Sequence, residues 1–185
     1  MNSNYYKIIL KMLKVKYGSG LKLQGCPIIF NNRRADMKMG KNVTIKSSLL
    51  SNLIGLYSRT IIVTRTSEAK IEIGNNVGVS GATIYARSSI TIGDNTLIGG
   101  NTKILDNDFH PLKIEARNAD IKEHIDARPI TIGKNCFIGC NVLILKGTVL
   151  GDGCVVGAGA VVSGRFPANS IIVGNPAKAI KTLQQ

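Results

Sequence analysis

Residues Ile132 to Pro167 read IGKNCF-IGCNVL-ILKGTV-LGDGCV-VGAGAV-VSGRFP, six hexads in unbroken register. An aliphatic residue opens each: Ile132, Ile138, Ile144, Leu150, Val156 and Val162. A Gly or small residue usually follows, and the fifth place is usually small or β-branched (Cys136, Val142, Thr148, Cys154, Ala160). A period of six fits neither the 3.6-residue turn of an α-helix nor the two-residue alternation of a strand. It fits a parallel β-helix in which each hexad makes one flat side and turns one corner.

Working outward, the same period runs through Ile92, Ile98 and Ile104 as IGDNTL, IGGNTK and ILDNDF. It slips by one residue near Tyr85 to Ser89 and is present from Ile73 to Val79. The first hexads lie near Met39 to Ile45. Between them LLSNLIGLYSRTIIVTRTSEAK (49–70) departs from the register, which predicts wide, irregular coils. At His110 the pattern stops. HPLKIEARNADIKEHIDARP (110–129) is polar and charged, and Ile132 restarts the repeat. Two blocks of one register separated in this way predict a loop pushed out of the stack over about 111–129. Long loops on regular scaffolds are where function concentrates. The expected division is an N-terminal helix and capping segment (1–35), a β-helix (36–173) and a C-terminal tail (174–185).

The 185 residues suggest one domain, and a 44% hydrophobic composition suffices for a core. Lys and Arg number 24 against 11 Asp and Glu, a net +13. Such an excess attracts polyanions: nucleic acid, anionic membrane or a phosphate-rich cofactor. The basic residues are dispersed and no motif with interleaved aromatics appears, which argues against nucleic acid. The four cysteines form no CxxC pair. Cys136 and Cys154 occupy the fifth hexad place, where a buried free thiol fits, so a reduced, cytoplasmic protein is expected. The opening MNSNYYKIILKMLKVKYGSG reads as neither signal peptide nor membrane span. Ile8, Ile9, Met12 and Leu13 fall on one helical face with Lys7, Lys11 and Lys14 mostly off it, and Gly18 and Gly20 end the helix. Two readings stand: a cap on the end of the β-helix, or a basic amphipathic helix making peripheral contact with the inner face of a membrane.

The run from Thr131 to Ile180, with Phe109-His110-Pro111 about twenty residues upstream, resembles the hexapeptide-repeat acyltransferases. The resemblance is strongest to sugar O-acetyltransferases related to maltose, galactoside and nodulation acetyltransferases, and to relatives from capsule and O-antigen clusters. It rests on the hexads, His110-Pro111 at the loop root, the Pro129–Gly133 restart and the Gly174–Lys178 terminus, and covers about residues 71–181. It implies an all-β, left-handed parallel β-helix, a homotrimer, and acetyl-CoA as co-substrate in a groove between subunits, with no metal. The implied reaction is direct O-acetylation of a sugar or glycan precursor in a ternary complex, in polysaccharide biosynthesis. An N-acyltransferase acting on an amino sugar nucleotide and a non-catalytic scaffold are the alternatives.

The resemblance makes His110 the general base, and a histidine suits proton removal from a sugar hydroxyl near neutrality. Asp108 or Glu123 is the candidate to orient its imidazole. Asp106 and Asn107 are either corner residues or contacts to acceptor hydroxyls. His124, the other histidine, reads as a surface loop residue; two histidines fall short of the three that a zinc site of carbonic anhydrase type needs. Gly139-Cys140 and Gly157-Ala158-Gly159 match positions whose main chain contacts the pantetheine arm. Phe137 stands where the family often has Trp. The family's Thr-Lys-Asp is here Ser163-Gly164-Arg165, which passes contact with the 3′-phosphate to Arg165, helped by Lys178 and Lys181.

Overall fold

Each hexad lays down one short strand, and every strand stacks on the one three hexads earlier. The computed structural model, which describes residues 3–184, has three parallel sheets wound into a triangular prism. Sheet A holds Lys16–Tyr17, Asp36–Met39, Lys70–Ile73, Ser89–Ile92, Ile130–Ile132, Val149–Leu150 and Arg165–Phe166. Sheet B holds Lys22–Gly25, Thr44–Ser47, Gly78–Ser80, Leu97–Ile98, Phe137–Ile138, Val155–Val156 and Ser170–Gly174. Sheet C holds Ile28–Asn31, Ile61–Thr64, Thr83–Ala86, Lys103–Leu105, Leu143–Leu145 and Val161–Val162. One strand from each sheet makes a coil; six coils are complete and a seventh is partial. This is the expected left-handed parallel β-helix.

In-register pairing puts like on like. Ile73, Ile92, Ile132 and Leu150 form one interior column, and Ile84, Ile104, Ile144 and Val162 another, all at most 1% exposed. Each such side chain contributes roughly 1.5–3 kcal/mol by leaving water. Cys136 and Cys154 are buried as the hexads required, and burial pushes the Cys136 thiol up to about 11.

The corner from A to B has its own column. Asn42, Asn76, Asn95 and Asn135 all have φ between 54° and 58°. Asn tolerates this left-handed conformation better than other residues with a Cβ. Their carboxamides also link the coils, Nδ2 to the next Oδ1, at 3.1, 2.9 and 3.1 Å.

Helix α1 (Ser3–Met12) closes the N-terminal end. Leu10 is fully buried in the prism core, with Tyr6 and Leu13 packed beside it. The Tyr6 hydroxyl donates to the Pro27 carbonyl, and Asn31 Nδ2 donates to the Leu13 carbonyl at 2.9 Å. The cap is therefore present, but its buried face is Tyr6, Leu10 and Leu13. Ile8 and Met12, assigned to that face from the sequence, are 58% and 77% exposed. Among the described residues no helix is long and apolar enough to cross a membrane.

Three expectations are corrected. The β-helix begins at Lys16 rather than residue 36, because Lys16–Asn31 already makes a full coil. Residues 49–70 are not wide coils: the chain leaves the prism over 48–60, and Ile61–Thr64 and Lys70–Ile73 are regular strands. The segment after residue 173 is no tail, since Ala177–Thr182 turns back antiparallel on Ser170–Gly174 and covers the last edge of sheet B.

Candidate active site

The second excursion leaves the prism after Leu105, at the corner between sheets C and A, and returns at Ile130. Its base is a short antiparallel pairing. Arg128 N–H donates to the Asp106 carbonyl (2.8 Å), Asp108 N–H donates to the Asp126 carbonyl (3.1 Å), and Asn107 opposes Ala127. The loop proper thus starts nearer the prism than the expected residue 111. It carries helix α2 (Ile114–Asn118) and a 3-10 turn at Lys122–His124. His110 is the second residue beyond the paired base, exposed to solvent, with Pro111 buried beside it. The break in the hexads therefore places a histidine at the mouth of an anchored loop.

Asp106 and Asn107 are buried at the corner and bonded within the fold. Asp106 is fully buried, and its carboxylate accepts the N–H groups of Arg87 (2.8 Å) and Ser88 (2.7 Å) and Asn107 Nδ2 (3.1 Å). Burial raises its pKa above the ordinary value, and those donors oppose the rise. Asn107 spends its Oδ1 on the Phe109 N–H at 2.9 Å. Both side chains thus hydrogen-bond within the fold.

Asp108 does not orient the imidazole either. Its carboxylate is bound by Lys146, which also reaches Asp126 at 2.6 Å. The Lys146 side chain is only 14% exposed, and an ammonium so placed needs counter-charge. Asp108 supplies it from the outgoing strand of the loop and Asp126 from the returning one. Glu123 lies exposed on the 3-10 turn and His124 beside it, also exposed. Among the described residues no side chain hydrogen-bonds the His110 imidazole.

Two features of this region had no readable signal. Phe109 has φ 63°, a left-handed backbone for a bulky residue. It is held there by the Asn107 cap and by its ring against Tyr85, centroids 4.9 Å apart. Strain of this kind persists where surrounding contacts over-determine it; here it aims the next residue, His110. Lys146 is the other: in the hexad ILKGTV it reads as an ordinary surface lysine. Replacing Lys146 by Met is expected to lower the exchange protection of the Asp108 and Arg128 amides by about fivefold or more. Acid acts on the same contact. The Lys146 hydrogen bond holds the Asp126 carboxyl below its ordinary value. This contribution is complete above the normal carboxylate range and is lost as pH falls through the lowered value. Protection at those two amides, normalised to intrinsic rates, is expected to drop below about pH 4.

The remaining candidates lie elsewhere on the prism. Phe137 projects from sheet B, 51% exposed, between Leu97 and Val155. Gly139, Cys140 and Ala158 form the B-to-C corner. Gly139 is buried, its N–H donates to the Val156 carbonyl (2.8 Å), and its carbonyl accepts Thr102 Oγ1 (2.9 Å), so it is a stacking residue with no free donor. Cys140 and Ala158 differ. At the equivalent position of the A-to-B corner, the N–H groups of Asn75 and Lys134 are capped by Asp94 and Asp152 carboxylates at 2.7 Å. Cys140 and Ala158 have no such cap among the described residues, and their small side chains leave the amides open along the edge. Lys178 and Lys181 are exposed on the last strand of sheet B. Arg165 is exposed at the start of the last strand of sheet A, on the His110 side of sheet C. One chain thus carries His110 and Arg165 at one edge of sheet C, and Cys140 and Ala158 at the other.

Residues 89–104 and 129–163 match the family model described as hexapeptide repeat of succinyl-transferase. The chain is 36% identical over 116 residues to galactoside O-acetyltransferase of Escherichia coli K12, covering 62% of this chain and 55% of the relative. It spans about half the length of the first curated relatives it matches. Its fold superposes on a maltose O-acetyltransferase from Clostridium difficile 630 (TM-score 0.59, 24% identity, 100% of this chain and 80% of the other). It also superposes on a mutant of AntD, an N-acyltransferase from Bacillus cereus in complex with dTDP and coenzyme A (TM-score 0.74, 20% identity, 100% and 91%). The resemblance to hexapeptide-repeat acyltransferases is borne out.

Proposed function

We propose that this protein is an acetyl-CoA-dependent O-acetyltransferase acting on a hydroxyl of a sugar or glycan precursor, with His110 as general base. The observation that carries the reading is the position of His110. It stands where the hexads break, on an anchored loop, exposed, with no side chain among the described residues competing for the imidazole. In the reaction His110 removes the acceptor proton as the acceptor oxygen attacks the thioester carbonyl. The tetrahedral intermediate collapses with release of CoA thiolate, which takes the proton from the imidazolium. Transfer is direct, in a ternary complex.

The uncapped amides of Cys140 and Ala158 are suited to carbonyl groups of a pantetheine arm running along the B-to-C edge, and Phe137 flanks it. Arg165, Lys178 and Lys181 supply cations for the nucleotide phosphates. Since sheet C separates these amides from His110 within one chain, the complete site needs the His110 edge of one copy beside the B-to-C edge of another. A homotrimer meets that requirement three times over.

Thermal shift with CoA, followed by a free-thiol assay on sugars, sugar nucleotides and amino-sugar nucleotides, tests the proposal. Saturating CoA is expected to raise Tm, by ligand linkage, and thiol release should depend on a hydroxyl acceptor. Absence of any CoA-dependent shift would leave a scaffold; turnover confined to amino sugars would make this an N-acyltransferase.

A further inference from the structure

Exposed apolar surface is concentrated in the two excursions. Among the described residues sixteen large apolar or aromatic side chains stand exposed, and nine lie there, five in residues 48–60 and four in residues 106–129. Apolar surface gathered in this way marks a place that something covers.

What covers it follows from the level that the first excursion reaches. The chain leaves the second coil after Ser47, on the B-to-C edge, and climbs past the third coil to the fourth. Leu56 is 2% exposed: a Cβ on Gly81 of the third coil would lie 2.9 Å from its Cδ2, and one on Gly100 of the fourth 3.2 Å. Asn101, also of the fourth coil, accepts from the Tyr57 N–H (2.8 Å) and donates to the Gly55 carbonyl (2.9 Å). The loop is thus held beside the fourth coil, with Leu50 and Leu53 each left 87% exposed. The fourth coil is also the one that the chain leaves to reach His110. That second excursion starts from the opposite edge of sheet C and presents Leu112 and Ile114, 72 and 62% exposed, just beyond His110.

We propose that the 48–60 loop docks on the His110 loop of a neighbouring copy, Leu50 and Leu53 against Leu112 and Ile114, and so fixes in trans the segment that carries the neighbour's base. This rests on the arrangement proposed above, the His110 edge of one copy beside the B-to-C edge of another. In a cyclic assembly of prisms with parallel axes, facing edges meet coil for coil, which sets the two apolar patches together at the fourth. The donor side agrees. On the same B-to-C edge the open amides of Cys140 and Ala158 stand at the fifth and sixth coils. A thioester held there ends beside the 48–60 loop, where the neighbour's His110 must also be. Charge does not oppose the contact: residues 48–60 carry one charged side chain, Arg59, and residues 110–129 balance four acids against four bases. Leu50 and Leu53 are positioning residues in this scheme; they touch the loop that bears the base and not the reacting atoms.

Two measurements test it, and the first needs neither CoA nor acceptor. Leu53→Cys/Leu112→Cys chains treated with a short bismaleimide are expected to run as linked dimers and trimers under denaturing conditions. The half-buried Cys26 and Cys140 set the background, which each single variant measures. No linkage above that background, or a monomer in sedimentation, overturns the proposal, while acetyl transfer is still judged separately by the CoA and thiol assays. In the second, Leu50→Ser/Leu53→Ser is expected to keep its Tm but to speed amide exchange over residues 110–121 about fivefold. Its kcat should fall about tenfold, through a misplaced base. Co-expressed with His110→Ala under two tags and purified as mixed trimers, it should recover about a third of wild-type turnover. One site in about three then takes His110 from one variant and the loop from the other. A loop that served the base of its own chain would leave about a twentieth, and that result overturns the proposal. So does a double-serine variant that only raises the acceptor KM and leaves exchange over 110–121 unchanged, which assigns the loop to the acceptor.

Discussion

Changing His110 to Ala is expected to lower kcat for acetyl transfer by about 10²–10⁴-fold, the usual contribution of a positioned general base. Tm and CoA affinity should stay near wild type. His110 is exposed and its imidazole makes no hydrogen bond among the described residues, so its loss breaks none there. The loop root is secured independently by the Arg128–Asp106 and Asp108–Asp126 backbone bonds and by Lys146. The effect should therefore fall on kcat and kcat/KM together, as for an interaction made in the transition state. Steady-state thiol release by the wild type and variant, with calorimetric CoA titration, separates the outcomes. Near wild-type turnover would remove His110 from the mechanism; a matching loss of Tm would make it structural.

A large stability effect is expected at Gly93, one of several corner glycines in close backbone contact with the next coil. A Cβ there would lie 2.6 Å from the Gly133 carbonyl carbon and 2.6 Å from the Lys134 nitrogen, backbone atoms of the next coil. Neither can move without parting two coils, so Gly93→Ala is expected to cost on the order of 3 kcal/mol or more. Gly55 is the control. Its φ is +87°, but a Cβ would meet nothing within 4 Å. Gly55→Ala should therefore cost only the conformational term, about 1–2 kcal/mol. Denaturant unfolding of both variants measures the difference. Equal losses would mean that backbone conformation rather than coil spacing governs the corners.

The sequence discloses the prism wherever corners have constant length. From Ile130 onward strands and turns alternate at six residues, and the interior column can be read directly. In the first coils the interior residues are as well buried, Met37 and Met39 among them, but the turns vary in length and the six-residue period is lost. That is why the β-helix was expected only from residue 36. The site divides similarly. His110 was visible because a periodic signal ended beside it. The partners of Asp106 and Asp108 were not, since both depend on contacts across coils: Arg87 and Ser88 for the first, Lys146 for the second. Phe109 gave no sign because its backbone is imposed by Asn107 and Tyr85 rather than chosen by its own preference.

The coil is also a unit of length. Neighbouring strands stand about 4.8 Å apart. The 48–60 loop leaves the second coil, and the chain departs toward His110 after the fourth. Two coil heights, about 10 Å along the prism axis, separate the levels at which the two loops leave. The 48–60 loop nevertheless bridges that distance: Leu56 lies against Gly81 of the third coil and Gly100 of the fourth, and the Tyr57 N–H donates to Asn101 (2.8 Å), so the loop splints the stack along one edge. Inserting one coil between the two excursions would lengthen the stack by about 5 Å and part Leu56 and Tyr57 from Gly100 and Asn101, so the loop ties the number of coils below the second excursion to its own length.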